Sequence, residues 1–476
     1  MNNILIVNFS TLNQIVNIIP IHHIIEKSNN EEIEVLNVTQ YKIENQRKDE
    51  SQNKYQFSNF DNKVWDDNLK KYIDNKIKCL SEMEELNILD NKRPIPPSGI
   101  TINLIKDRIE EKIEEIVNDF EKVKTEIIIN ITGGQRNYII AAYEVAKNLL
   151  KENYDIKTIY LEGHSGYIEY YRNNEIEKKE KYSLPKRFKL EDALNIMGFS
   201  AKIAYNDNSK EKNYYRFNKK NINEQEIDLS KIIDLNDMDY YKLLGLNKKT
   251  NKSTFTEDYK KELIDVIRKK LYSIKSKKRL GENKIENIFQ KYFYKDDSNS
   301  LKNTSAYGSF FEKIIVDKLR DCIQRKNIDI IEMAWNLNTN HLENNSGGAK
   351  CFEHDICLLT NTGKIIAIEC KTGSSHSDTF KSRKATAYMV GGPYALPILI
   401  TPLKSEAIKL ENKNAFFKKY FKEKSDDEKH INQLNFDKIY ATRNRALRAK
   451  MSIWGADENF GDNLKNHLEN HTDYGR

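Results

Sequence analysis

Phe352-Glu353-His354-Asp355, followed after a turn at Asn361-Thr362-Gly363-Lys364 by Ile365-Ile366-Ala367-Ile368-Glu369-Cys370-Lys371-Thr372-Gly373, decides how the C-terminal part of this chain folds. Two apolar runs around a glycine-containing turn read as paired β-strands. Side chains alternate along a strand, so Glu369 and Lys371 emerge on one face and Cys370 on the other. Asp355, on the neighbouring strand, reaches that same face. Two carboxylates and an ammonium gathered there suit a hard divalent cation and a water activated beside it.

Working outward, Glu312 in Gly308-Ser309-Phe310-Phe311-Glu312 supplies a further carboxylate. The spacing of Phe311, Ile314, Ile315, Leu319 and Cys322 predicts a helix from Tyr307 to Lys326 whose apolar stripe packs on the sheet. Glu312, beside that stripe, points across the sheet edge. A further apolar strand follows at Leu396-Pro397-Ile398-Leu399-Ile400. Glu312, Asp355, Glu369 and Lys371 are therefore the catalytic candidates. Asp355, Glu369 and Glu312 would ligate Mg²⁺ or Mn²⁺, with the Cys370 carbonyl as an extra oxygen ligand. Lys371 would orient the attacking water and stabilise charge developing on a phosphorane. Glu-x-Lys alone is common on solvated strand faces, where its ion pair is worth little. The ordered set carries the reading. His354 and Glu353 flank Asp355 and could tune it, but strand alternation puts both on the opposite face, which favours a structural role.

The N-terminal part has its own constellation. Asn3 to Phe9 reads as a buried parallel strand, followed by the polar loop Ser10-Thr11-Leu12-Asn13-Gln14 and a helix carrying Ile15, Ile18, Ile19 and Ile24. Strands are expected at 34–38, 126–131, 157–161 and 167–171, with helices over 60–90, 102–121 and 138–150. Strands alternating with helices indicate a doubly wound α/β domain over about the first 180 residues. The turn Thr132-Gly133-Gly134-Gln135-Arg136-Asn137 joins a buried strand to a helix. Its glycines let the backbone approach a ligand, its N–H groups favour an anion, and Arg136 adds a phosphate donor. It lacks both the Gly-Lys-Ser/Thr of a Walker loop and the third spaced glycine of a dinucleotide fingerprint. Ser10, Thr11, Asn13 and Gln14 would sit at the same carboxyl edge of the sheet, where ligands of open α/β folds bind.

With 476 residues, two or three domains are expected. Hydrophobic residues make up 38% and charged ones 31%, enough apolar content for real cores. The 78 basic against 71 acidic residues leave +7, which permits nucleic-acid binding without requiring it. Cys79, Cys322, Cys351, Cys357 and Cys370 lack metal-ligand spacing and read as reduced thiols. There is no secretory signal pattern and no apolar run of membrane-spanning length, so a soluble cytoplasmic protein with no membrane partner is expected.

These residues together resemble a family, the CARF-domain PD-(D/E)XK nucleases that accompany type III CRISPR systems. Asn13-Gln14-Ile15-Val16-Asn17-Ile18-Ile19-Pro20 is similar to that family's Gln, Asn and Pro element, and Asn130-x-Thr132-Gly133-Gly134-x-Arg136 to its Thr-Gly-Gly turn. The segment Pro185 to Gly198 looks like the family's connection between its two functional regions. Gly308-x-Phe310-Phe311-Glu312, His354-Asp355-Ile356, Ile368-Glu369-Cys370-Lys371-Thr372, Tyr388-Met389-Val390-Gly391-Gly392 and Arg443-Asn444-Arg445-Ala446 follow in the family's order. A charged insertion around 200–300 and Val16, where proline is common, depart from it.

The resemblance implies a Rossmann-like CARF domain over 1–182 and a PD-(D/E)XK restriction-endonuclease-like domain over 305–476, while the charged segment between them, 183–304, reads from its own period as mostly helical, including a helix from Tyr259 to Lys278, and is a helical module, a spacer or an elaboration of its neighbours. It implies a homodimer that binds one cyclic oligoadenylate, cyclic tetra-adenylate before cyclic hexa-adenylate, through Ser10, Thr11, Asn13, Gln14 and Thr132 to Asn137. The ligand then switches on cleavage of DNA or RNA with little sequence preference. Lys381, Arg383, Lys384, Arg443, Arg445 and Arg448 are candidates for phosphate contacts or solvated helix faces. Three alternatives carry their own expectations. A ring nuclease would open the cyclic ligand in the N-terminal pocket. A ligand-sensing regulator would bind DNA without cutting it. A restriction-type endonuclease would cut without a second messenger.

Overall fold

The computed structural model describes residues 3–11, 13–28, 32–39, 63–77, 83–88, 100–119, 125–162, 166–201, 203, 213–217, 305–341, 352–371, 377–401, 405–409 and 440–469, with single residues at 269, 287 and 290. The helix expected from Tyr259 to Lys278 lies outside this set, apart from one residue.

Seven strands form the first sheet: β1 (Asn3–Phe9), β2 (Glu32–Thr39), β3 (Glu84–Asn87), β4 (Thr125–Asn130), β5 (Asp155–Glu162), β6 (Tyr167–Arg172) and β7 (Glu175–Lys181). Their order is β3-β2-β1-β4-β5-β6-β7, parallel through β5 and antiparallel beyond it. Alternation along β1 gives each face its own core. Ile4 and Ile6 pack with α1 (Ile15–Lys27) and with Leu69 and Ile73 of α2 (Lys63–Lys76). Leu5, Val7 and Phe9 pack with α3 (Ile102–Asp119) and α4 (Arg136–Lys151). The sheet is doubly wound, as the strand and helix alternation predicts. The chain runs outward from β1 to β3 and returns to β4 beside β1, so the loops after β1 and β4 flank the point where the strand order reverses.

The region expected to be helical over 60–90 contains a helix only at Lys63–Lys76 and then the short parallel strand β3. Strand β7 (Glu-Ile-Glu-Lys-Lys-Glu-Lys) has no apolar alternation and stands at the sheet edge with Ile176 exposed. Backbone pairing with β6 fixes it, and charged side chains protect such an edge.

The second sheet contains β8 (Phe199–Ala201), β9 (Tyr214–Arg216), β10 (Ile330–His341), β11 (Phe352–Thr360), β12 (Ile365–Cys370), β13 (Leu396–Thr401) and β14 (Ser452–Gly455). Its order is β14-β13-β12-β11-β10-β8, with β9 also pairing β10. Within the segment expected to be helical, α5 (Leu190–Ile196) is followed by these two short strands, β8 and β9, joined to the C-terminal sheet. One face of the sheet packs on α6 (Ser305–Lys326). Phe310, Phe311, Ile314 and Leu319 meet Met333, Ile356, Ile368 and Ile398 there, all fully or almost fully buried. Each such side chain contributes about 1.5–3 kcal/mol by leaving water.

The other face joins the core of the first sheet. Ala334, Leu337, Cys357, Leu359, Ile365 and Ala367 share one cluster with Ile15, Ile19, Leu184, Phe188 and Leu190, and with Ala387 and Val390 of α7 (Ser377–Gly391). Hydrogen bonds reinforce this seam at the hairpin turn between β11 and β12. The Leu184 N–H donates to Asn361 O at 2.6 Å and the Tyr182 hydroxyl to Thr362 O at 3.0 Å. Gly363, at φ +82°, sits so close to Ile19 that a Cβ would lie 2.8 Å from its Cδ1. The turn needs glycine for its conformation and for this contact.

Candidate functional site

The hairpin expected from the sequence is present, and its register assembles the C-terminal constellation. Ile356 stands opposite Ile368 in antiparallel pairing, which brings Asp355 beside Glu369. The Cys370 N–H donates to Asp355 Oδ2 at 2.7 Å. Lys371 Nζ lies 2.6 Å from Glu369 Oε1, as their shared strand face requires. Glu369 is 3% exposed and Asp355 8% exposed, so both carboxyl groups are almost out of water. Arg383 of α7 supplies a contact that spacing in the sequence does not reveal. Its Nε lies 3.1 Å from Glu369 Oε2 and its Nη1 donates to the Glu353 carbonyl.

The electrostatics tie Glu312 to the same place. Burial raises the Glu312 carboxyl, Lys371 opposes the shift, and the charges of Glu369 and Glu353 add to it. Asp355 is raised by burial first and then by Glu369 and Glu312. Burial alone would lower Lys371, but Glu369 and Asp355 outweigh it and raise its pKa. Carboxylates that repel one another at low dielectric fit the chemistry of a hard cation, which relieves the repulsion. Among the described residues, no three His, Cys, Asp or Glu side chains stand close enough together to hold a metal ion in this arrangement. Glu369 is engaged by two cationic side chains, and one Asp355 oxygen by a backbone N–H. The Cys370 thiol is buried in the core below the site, and its pKa is raised well above the ordinary range by burial.

His354 is buried, and burial followed by the Arg383 charge lowers it to about 4, so it is neutral and structural. Of the basic side chains expected to reach phosphate, Arg443 is turned inward. It is 9% exposed, its Nε donates to Ile408 O at 2.6 Å and its Nη1 to Asn444 Oδ1 at 2.9 Å. Lys384 lies over the Tyr388 ring at 5.4 Å. Lys381 and Arg448 are exposed.

In the first sheet, the loops after β1 and β4 meet as expected. A Cβ on Gly133 would lie 3.0 Å from Thr11 Cγ2 and 3.1 Å from Val16 Cγ2. Gly134 has φ +97°, and a Cβ there would lie 2.7 Å from Phe9 Cβ. Gln135, Arg136 and Asn137 are exposed where α4 begins, and no side chain caps that helix start. Its first N–H groups are thus open to an anion. The Thr132 hydroxyl accepts the Leu161 N–H at 2.7 Å, which leaves its own proton to donate. Thr11 Oγ1 accepts the Asn13 N–H at 3.4 Å.

Ser10 and Gln14 do not face an open surface. Both donate to Asp66 of α2, Ser10 Oγ to Oδ2 at 2.7 Å and Gln14 Nε2 to Oδ1 at 2.8 Å. Asn37 Nδ2 adds a third bond to Oδ1 at 2.9 Å. Asp66 is fully buried, and burial raises it to about 6 despite these three donors. Gln14 Oε1 in turn accepts from Asn17, whose Oδ1 accepts from Asn130, so a buried amide network links α1, α2, β2 and β4. Sequence reasoning missed Asp66. Beside Asp67 in a charged helix, nothing local distinguishes it.

No protein-family model matches the sequence, and no curated protein matches it. Among solved structures, the chain is similar to protein VC1899 from Vibrio cholerae, with 14% identity, a TM-score of 0.54, and coverage of 98% of this chain and 97% of that one. That likeness is one of fold, extending along nearly the whole length of both chains. Can2 from Sulfobacillus thermosulfidooxidans in complex with cyclic tetra-adenylate matches at 15% identity and TM-score 0.48, covering 98% and 95%. A type III CRISPR defence DNA nuclease activated by cyclic oligoadenylate matches at 10% identity and TM-score 0.42, covering 84% of this chain and 45% of that one. Among the described residues, no helix is long and apolar enough to cross a membrane.

Proposed function

We propose that this chain is a divalent-metal-dependent nuclease, switched on by a cyclic oligoadenylate, that cleaves DNA or RNA with little sequence preference in type III CRISPR defence. The observation that carries the reading is the Asp355, Glu369 and Lys371 group, brought together by the hairpin register with Glu312 in its field. Asp355, Glu369, Glu312 and the Cys370 carbonyl would hold Mg²⁺ or Mn²⁺, which supplies Lewis-acid polarisation of the scissile phosphate. Lys371 holds its proton firmly beside Glu369, so it can orient the attacking water and offset charge developing in the transition state. Packing of the hairpin against α6 on one face and the inter-sheet core on the other fixes these groups.

The exposed Gln135, Arg136 and Asn137, with the Thr132 hydroxyl and the loop carrying Thr11 and Asn13, suit an anionic ring ligand at the strand-order reversal. Ser10 and Gln14 support this pocket from beneath through Asp66. A homodimer would place two such pockets on a two-fold ligand. In this reading 1–182 senses the ligand, 305–476 cuts, and the cytoplasm is the working compartment. The test is cleavage of single-stranded and supercoiled substrates with Mn²⁺ in the presence of cyclic tetra-adenylate. Wild-type protein should cut, Glu369→Gln should not, and equal activity of the two would overturn the assignment.

A further inference from the structure

Helix α7 touches both candidate sites. Along its length, Arg383 reaches Glu369 Oε2 at 3.1 Å while Lys371 holds Oε1 at 2.6 Å, so both oxygens of the buried carboxylate are taken by cations of the protein. Arg383 also donates to the Glu353 carbonyl on β11, which anchors the guanidinium over the hairpin. At the C-terminal end of α7, Gly392 has φ +66° and is pressed against the Asn13 amide, where a Cβ would collide with Nδ2, Cγ and Oδ1. Gly391 is as tight against β12, where a Cβ would lie 2.8 Å from Ile365 Cβ. Ala387 and Val390, in between, are buried in the inter-sheet core. One helix therefore runs from the loop after β1 to the carboxylate on β12.

We propose that Arg383 is a latch that holds Glu369 against metal binding, and that the Asn13–Gly392 contact is where ligand at the first-sheet loops moves α7 and withdraws it. The proposal rests on the function proposed above and names the residues of its switch. The physical argument is competition. An arginine and a divalent cation need the same carboxylate oxygens, so whatever stabilises one occupant weakens the other. A ligand shifts this balance only if it binds better when α7 is displaced. Because Asn13 stands against Gly392 with no room for a side chain, displacement of the loop must be taken up by the helix end. Linkage then requires the reverse effect, with metal tightening the hold on the cyclic ligand.

The experiment is Mn²⁺ binding to full-length protein, followed by the electron paramagnetic resonance signal of free Mn²⁺, with and without saturating cyclic tetra-adenylate. Wild type, Arg383→Ala and Arg383→Gln are compared, the second variant retaining bulk and polarity so that loss of fold is recognised. Without ligand, both variants should bind Mn²⁺ about 5-fold or more tightly than wild type, the lower end of ordinary allosteric coupling. Ligand should raise wild-type affinity toward that of the variants and leave theirs unchanged. Unchanged or weaker Mn²⁺ binding in the variants overturns the latch, because Arg383 would then be neutral or an aid to the metal. Wild type that binds no Mn²⁺ with or without ligand, as in a Glu369→Gln control, overturns the metal-site reading as well, which separates the two failures.

Discussion

Asp355 Oδ2 accepts the N–H of Cys370 at 2.7 Å, and this bond holds the carboxylate of one strand against the end of its neighbour. Position and charge of Asp355 are therefore separable. Asp355→Asn keeps an acceptor oxygen for the Cys370 N–H and should leave the melting temperature within a few degrees of wild type while abolishing cleavage. Asp355→Ala leaves a buried N–H unpaired and should cost about 1–3 kcal/mol of stability as well. Thermal unfolding of both variants beside a cleavage assay checks this pairing of outcomes.

Asp66 gives a pH dependence with a definite sign. Burial raises its carboxyl from 3.8 to about 6, so between those values the folded protein keeps a proton that the unfolded chain has released. Stability from this group is then highest at low pH and falls as pH rises through that window. Asp66→Asn removes the titration while still offering an acceptor to Gln14 and Asn37. Its stability relative to wild type should grow between about pH 4 and pH 7, by on the order of 1–3 kcal/mol. Thermal melts across that range are the check, and a constant difference would contradict the assignment.

Gly134 combines a φ of +97° with a Cβ position 2.7 Å from Phe9 Cβ. Gly134→Ala should therefore destabilise the protein by about 2 kcal/mol or more, from the unfavourable conformation and the displaced aromatic ring together. It should also weaken binding of cyclic tetra-adenylate, because the turn carries the exposed residues that start α4. Calorimetric titration of the ligand into wild type and variant measures the second effect.

Much of this architecture was legible in the chain because it rests on local periodicity. Strands β1, β4, β11, β12 and β13 are apolar runs bounded by turn residues, and the Glu369 and Lys371 spacing follows from strand alternation alone. What escaped had no local signal. Strands β8 and β9 are three residues each, too short to show a period, and exist through pairing with β10. Strand β3 interrupts a charged stretch that reads as helix throughout. Arg383 sits on a helix between Lys381 and Lys384 and looks like a solvated face until tertiary packing brings it to Glu369. Asp66 acquires its role only when α2 lays it under the loop from β1.

Under the proposed function, ligand at the first sheet licenses chemistry at the second. Cleavage of single-stranded and supercoiled nucleic acid should be measured with Mn²⁺ over a range of cyclic tetra-adenylate concentrations, with cyclic hexa-adenylate in parallel. Little cutting is expected without ligand, with a saturable rise of about 100-fold or more with one of the two rings, and loss of that rise in Arg136→Ala. Equal cutting with and without either ring would contradict it.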